Sequence, residues 1–107
     1  MTRKTKDEIR PPLEGELLAI VIRRLGGDLV EVKCEDGIVR QARIPGKMKK
    51  RVWIHPGDII LVAPWEFQQS KADIILKYEL KDLNNYVRNG ELKQERVDKL
   101  LTLTKEL

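Results

Sequence analysis

The chain has 107 residues, with 21 Lys and Arg against 17 Asp and Glu for a net charge of +4. That length suffices for one domain around one core, and the mild excess of charge argues against a general polyanion coat. No apolar run approaches the roughly 20 residues that cross a bilayer. The N-terminus lacks the apolar core of a signal peptide, and Cys34, the single cysteine, cannot form an internal disulfide. A cytoplasmic protein with no membrane partner and no cofactor is expected.

Residues 1–12, MTRKTKDEIRPP, are charged and end in Pro11-Pro12. Such a composition buries little apolar surface, so a flexible basic tail is expected there. Short strand-like runs follow. Gly15–Leu25 is rich in Ile, Val and Leu and stops at Gly26-Gly27, a pair suited to a hairpin. In DLVEVKCE, Val30, Val32 and Cys34 alternate with charged residues, the period of a half-buried strand. Asp36-Gly37 signals a two-residue hairpin. In IVRQARI, Ile38, Ala42 and Ile44 share one face, with Gln41 and Arg43 on the other.

Pro45-Gly46 opens an interruption, and RVWI leads to a second turn at Pro56-Gly57. DIILVAPW is nearly all apolar and predicts a strand buried on both faces; EFQQSK predicts a loop, and ADIILKYE a last strand. Five short strands with regular turn signals predict a mainly β, five-stranded barrel over 13–79. After Glu79 the period changes. Leu80, Leu83 and Val87 form a helical stripe with Asn89-Gly90 as its stop, and Val97, Leu100, Leu101 and Leu107 form another. A helical subdomain over 80–107, packed on the barrel, is expected.

The charge is concentrated in one place. Arg43, Lys47, Lys49, Lys50 and Arg51 put five cations into nine residues with no acid among them. Solvated loops are often cationic, so exposure alone explains part of this. Aromatic residues sit beside the cluster, however: Trp53 follows it directly, and Trp65 and Phe67 lie after the next strand. Cations neutralise phosphates and release counterions, while aromatic faces stack on unpaired bases for about 1–3 kcal/mol each. Small barrels of the OB type bind single-stranded or irregular RNA with such groups. Trp53 lies between Val52 and Ile54 and fits either core or stacking. Trp65, after Pro64 at a strand end, is better placed for exposure, and Phe67 is open.

Other chemistry is sparse. His55 is the only histidine and sits in a turn, and without a second His or Cys it completes no zinc site. Asp58 fits a turn role and Asp73 a strand start. There is no phosphate-cradling Gly-rich signature. No enzyme and no metal site are expected.

The segments GKMKKRVWI and KADIILKY, with DGIVRQARIPGKM before them, resemble translation initiation factor 1A, the archaeal and eukaryotic relative of bacterial initiation factor 1. The resemblance runs from about Pro12 to Glu79 and continues into the helical segment. It implies an S1-like OB fold and a monomer that binds the small ribosomal subunit at the aminoacyl-tRNA site. Ribosomal RNA of the decoding region would be the direct contact, with initiator tRNA and mRNA affected indirectly. Gly46, Lys47, Met48, Lys49, Lys50 and Arg51 would be the inserted loop, flanked by Arg43, with Lys71 adding a phosphate contact. Stacking or wedging by Met48 would hold decoding-site bases unstacked. Eukaryotic members carry a long acidic C-terminal extension that engages a subunit-joining GTPase factor; this chain ends at Leu107 with balanced charge, so that partner is carried over least firmly. The short tails look archaeal.

Two other readings compete. A general single-stranded RNA chaperone of the cold-shock or S1 kind would need no packed helices after Glu79. A protein-interaction adaptor would present a strand edge or an apolar patch, and its association would be indifferent to salt.

Overall fold

The computed structural model describes residues 9–49 and 53–105. Its strands are β1 (Leu17–Gly26), β2 (Leu29–Cys34), β3 (Val39–Arg43), β4 (Ile59–Pro64) and β5 (Lys71–Tyr78). A short helix α1 (Gly46–Lys49) lies between β3 and β4, and α2 (Leu80–Arg88) and α3 (Gln94–Thr104) follow β5. The strands close into a barrel in the order β1-β2-β3-β5-β4. Neighbours are antiparallel except β3 and β5, which run parallel with Gln41 opposite Lys71 and Arg43 opposite Asp73. Closure comes from β1 against β4, from Leu17 opposite Val62 to Ile20 opposite Ile59.

The hairpins form where glycine relieves the backbone. Gly26 (φ 106°) and Gly27 (φ 57°) occupy a region that Cβ-bearing residues avoid, which lets β1 return directly into β2. The second turn is wider than the two residues expected. Cys34 N–H donates to the Ile38 carbonyl at 3.0 Å, so the turn begins at Glu35, and the Asp36 carboxylate accepts from the Ile38 N–H at 3.1 Å.

The unbroken apolar runs are explained by two cores. Ala19 and Val21 of β1, with Ile60 and Val62 of β4, fill the barrel interior together with Val30, Val32, Cys34, Ala42, Ala72 and Ile74. Leu18 and Ile20, with Leu61, face outward onto Leu83, Leu92, Val97 and Leu100 of the helical segment. Strands with both faces covered have no need to alternate in polarity. β5 serves both cores by a bulge: Leu61 faces Leu76 but Val62 faces Ile74, so Ile75 is the extra residue. Ala72 and Ile74 therefore belong to the barrel core, and Leu76 and Tyr78 to the second. Burial pushes the Cys34 thiol up from its ordinary value, consistent with its core placement.

The helix pair is fastened by local chemistry. Asp82 accepts from the Glu79 N–H at 2.8 Å, opening α2. At its end Gly90 (φ 80°) allows Glu91 N–H to reach the Tyr86 carbonyl and its own N–H to reach that of Val87, a Schellman stop. Leu83, Val97 and Leu100 are buried as the stripes require. Leu80 and Leu101 are not, standing 43% and 38% exposed; Leu107 lies outside the described residues. Arg96 of α3 grips Glu35 with two bonds, at 2.9 and 2.6 Å. Glu35 also accepts the Leu18 N–H at 2.7 Å, and Arg96 reaches the Glu16 carbonyl at 3.2 Å.

The flexible tail was expected to reach Pro12. Residues 1–8 lie outside the described residues, but Arg10 is already tied down. Its guanidinium forks onto Glu16 at 2.8 and 2.9 Å, and its carbonyl accepts from the Tyr78 hydroxyl. A pair of ends fixed in this way fixes Pro11 and Pro12 between them. The β3 face also differs from expectation. Ile38 is only half-buried and Val39 is exposed, while Arg40, between Ile38 and Ala42 on that face, is buried at 3% exposure.

Candidate nucleic-acid interface

The connection from β3 to β4 lies across one mouth of the barrel. Three apolar side chains anchor it from within: Ile44, Met48 and Ile54, exposed by 5%, 6% and 2%. Ile44 N–H donates to the Asp28 carbonyl at 2.7 Å, and Met48 N–H to the Pro45 carbonyl at 3.0 Å, the turn that starts α1. Beyond Ile54, the Asp58 carboxylate accepts from the His55 N–H at 2.7 Å and closes the Pro56-Gly57 turn. This corrects the place of Met48. In this single helical turn it is Met48 that faces inward, 6% exposed and packed in the barrel core, rather than outward as a wedge. Gly46 and Lys47 are on the outside. The side chain of Lys49, together with Lys50 and Arg51, lies outside the described residues.

Trp53 is a surface residue, 74% exposed. With Ile54 inward, the extended backbone turns Trp53 out. Its ring stacks on His55, with centroids 6.3 Å apart and planes 15° from parallel. Its carbonyl accepts from Lys77 Nζ at 2.9 Å, and Lys77 also pairs with Asp58 at 3.2 Å.

A second group surrounds the parallel pair of β3 and β5. Arg43 lies with its guanidinium 5.8 Å from the centre of the Trp65 ring, in cation–π range. Its Nε is 3.3 Å from Asp73 Oδ1, an ionic contact without hydrogen-bond geometry. Lys71 Nζ donates to Gln41 Oε1 at 2.7 Å, the pair that the strand register sets side by side. Phe67 stands at the tip of the β4–β5 loop, 95% exposed, and Trp65 beside it is 36% exposed. An open depression of about 530 Å³ lies between Arg43, Gly46, Lys47 and Asp73. Another, of about 600 Å³, lies among Trp65, Phe67 and Asp73.

Of the expected contact residues, Arg43, Gly46, Lys47, Trp65, Phe67 and Lys71 thus gather around the start of β5. Trp53 is placed near the end of β5, about 20 Å along a strand from Lys71. Asp73 and His55 were not among the expected contacts. Asp73 is the third residue of β5 rather than its start, and its strand partner is Arg43. The two-residue period from Lys71 puts it on the outer face, which was a readable signal. Among the described residues no three His, Cys, Asp or Glu side chains cluster to hold a metal ion. Nor is any helix long and apolar enough to cross a membrane.

A closed five-stranded barrel with helices appended after its last strand is the architecture of an OB-type fold. Comparison with known proteins makes this more definite. The family model for translation initiation factor 1A / IF-1 matches residues 6–100. Translation initiation factor 1A of Methanopyrus kandleri is 51% identical over 98 residues, spanning 92% of this chain and 87% of that protein. The Methanothermobacter thermautotrophicus protein of the same name is 48% identical over 86 residues, 79% of this chain and 87% of its own. That of Haloarcula marismortui is 43% identical over 90 residues, 84% and 95% of the two chains. The chain belongs to the translation initiation factor 1A / IF-1 family, and its relatives among these are archaeal.

Proposed function

We propose that this chain binds the small ribosomal subunit at the aminoacyl-tRNA (decoding) site through ribosomal RNA. By occupying that site it would keep initiator tRNA out of it and favour selection of the mRNA start codon. The observation that carries this reading is the placement of the rings. Both tryptophans and the only phenylalanine are exposed, Phe67 almost fully, while the cores are built from aliphatic residues and Tyr78. Leaving that much apolar ring in water is unfavourable unless a partner covers it. Cations beside the rings give that partner phosphates as well as bases.

The rigid barrel does the positioning. Ile44, Met48 and Ile54 hold the β3–β4 connection from inside, so Lys47 is displayed rather than dangling. Asp73 and the Trp65 face hold Arg43 ready on the surface. An incoming phosphate competes with Asp73 for Arg43 and releases counterions from the RNA, and an unpaired base replaces water over the rings. No covalent step is involved. The adaptor reading through a strand edge is the weaker one, because every strand of the barrel is paired on both sides over part of its length.

The test is co-sedimentation with purified small subunits, with and without an aminoacyl-site ligand as competitor. The variant Lys47→Ala/Lys49→Ala/Lys50→Ala/Arg51→Ala should lose most subunit binding while its thermal stability stays close to the parent. If five cations each neutralise a phosphate, log K should fall with log salt at a slope of roughly −3 to −4. Unimpaired binding by the variant, or indifference to the competitor, refutes the assignment.

A further inference from the structure

Two charged side chains are buried among the described residues, Glu35 and Arg40. Glu35 is accounted for by Arg96 and the docking of α3. Arg40 belongs to neither apolar cluster, although its guanidinium lies against the Cys34 thiol of the barrel core. It sits on β3 at a position whose neighbours on the same face, Ala42 and Ile44, are apolar and packed in the barrel. An aliphatic residue would fill that place at no electrostatic cost. What Arg40 adds is reach in two directions. Nη1 and Nη2 each donate to the Asp36 carboxylate at 3.1 Å, in the β2–β3 turn. Nε donates to the Gln69 carbonyl at 2.8 Å, in the β4–β5 loop.

We propose that Arg40 is the positioning residue for the β4–β5 loop, setting where Trp65 and Phe67 stand. Apart from the Arg43 guanidinium, 5.8 Å from the centre of the Trp65 ring, the loop has little else to hold it. Its inner bonds are Trp65 N–H to the Lys71 carbonyl at 3.0 Å and Lys71 N–H to the Gln68 carbonyl at 3.0 Å. Gln41 N–H reaches the Ser70 carbonyl at 2.9 Å and joins its far end to β3. Residues 66–70 are exposed. Arg40 is therefore the side chain that ties the loop to the barrel at Gln69, two residues after Phe67. The planar guanidinium suits this task, because one fixed fork serves an acid and a carbonyl at once. A lysine keeps the charge but offers a single point. The consequence for docking rests on the proposed RNA contact of Trp65 and Phe67; the placement of the loop does not.

The experiment uses Arg40→Lys, alone and combined with Phe67→Ala, on the full chain. Arg40→Lys should speed amide exchange at Trp65, Lys71 and Gln41 and leave the Ile60 and Leu61 amides of β4 protected. It should weaken small-subunit binding about tenfold, the worth of one charge-assisted hydrogen bond. In the Phe67→Ala background that further loss should shrink, because Arg40 acts in part through that ring. Fully additive losses, or unchanged exchange in the loop, overturn the proposal. Loss of loop protection with no effect of either substitution on binding upholds the placement by Arg40 and refutes the docking reading instead. Should Arg40→Lys fail to fold, the unaltered protein decides the matter by NMR. A solvent-protected Arg40 Nε–H coupled across its hydrogen bond to the Gln69 carbonyl carbon upholds the link, and a freely exchanging one overturns it.

Discussion

Arg96→Ala isolates the bond between the helices and the barrel. Glu35 is 7% exposed, and Arg96 supplies it with bonds of 2.9 and 2.6 Å. Without Arg96 the carboxylate keeps one donor, the Leu18 N–H, and the Glu16 carbonyl loses a partner too. Breaking a fully buried pair in this way costs about 3–5 kcal/mol. The Arg96 side chain is 32% exposed, so water replaces part of what it gave, and about 2–3 kcal/mol is the fitting range. For a chain of 107 residues that loss lowers the melting temperature by roughly 8–15 °C. Thermal and urea unfolding followed by circular dichroism measure it. Arg96→Ala combined with Glu35→Gln should recover a good part of the loss, because no charge is then stranded while the Leu18 N–H keeps an acceptor. A single variant that melts within about 2 °C of the parent would show that the pair does not fasten α3, and the reasoning would fail.

Met48→Ala should cost about 2–3 kcal/mol in urea unfolding, the low end for a buried residue whose short helix can settle inward; a variant as stable as the parent but weak in subunit binding would return Met48 to the RNA-facing side. Acid should destabilise the protein only at low pH. Arg10 holds the Glu16 carboxyl below its ordinary value of 4.5; burial lifts that of Asp36, but Arg40 and the Ile38 N–H overcome it and hold it below 3.8. Depressed carboxylates stabilise the fold fully above those ordinary values and cease to do so as pH falls through the lowered ones. Melting temperature should therefore change little on these groups' account from neutral pH to about pH 5 and decline below about pH 4, and a decline complete by about pH 5 would contradict the assignment.

Much of the barrel was legible because its physics is local. Alternation marked β2, glycines marked the hairpins, and the β-to-helix change of period fell at Glu79, where α2 begins. The unbroken run of β4 showed that both of its faces are covered, though not that two separate cores cover them, nor that β1 shares them. That division depends on contacts between distant segments, such as Leu18 with Leu100. Arg10 and Arg96 were hidden for the same reason, since their partners lie 6 and 61 residues away. Met48 was misread because four residues of helix are too few to show a period, and the cations around it dominate the segment. Trp53 could have been settled by the alternation with Ile54. Arg40 could have been noticed as a charge on the apolar face of β3, but its reason lies in Gln69, across the sheet.

The bulge at Ile75 is what lets one strand serve two cores. Ala72, Ile74, Leu76 and Tyr78 stand two apart, and in a regular strand they would share one face; here the first two turn with Val62 and the last two with Leu61. Deleting Ile75 would leave Ile74 and Leu76 as neighbours opposite Val62 and Leu61, so each half would keep its own core and only the local bend would go. The strand can therefore lose that one residue without exchanging its faces, whereas a residue inserted between Leu76 and Tyr78 would turn Tyr78 away from its core.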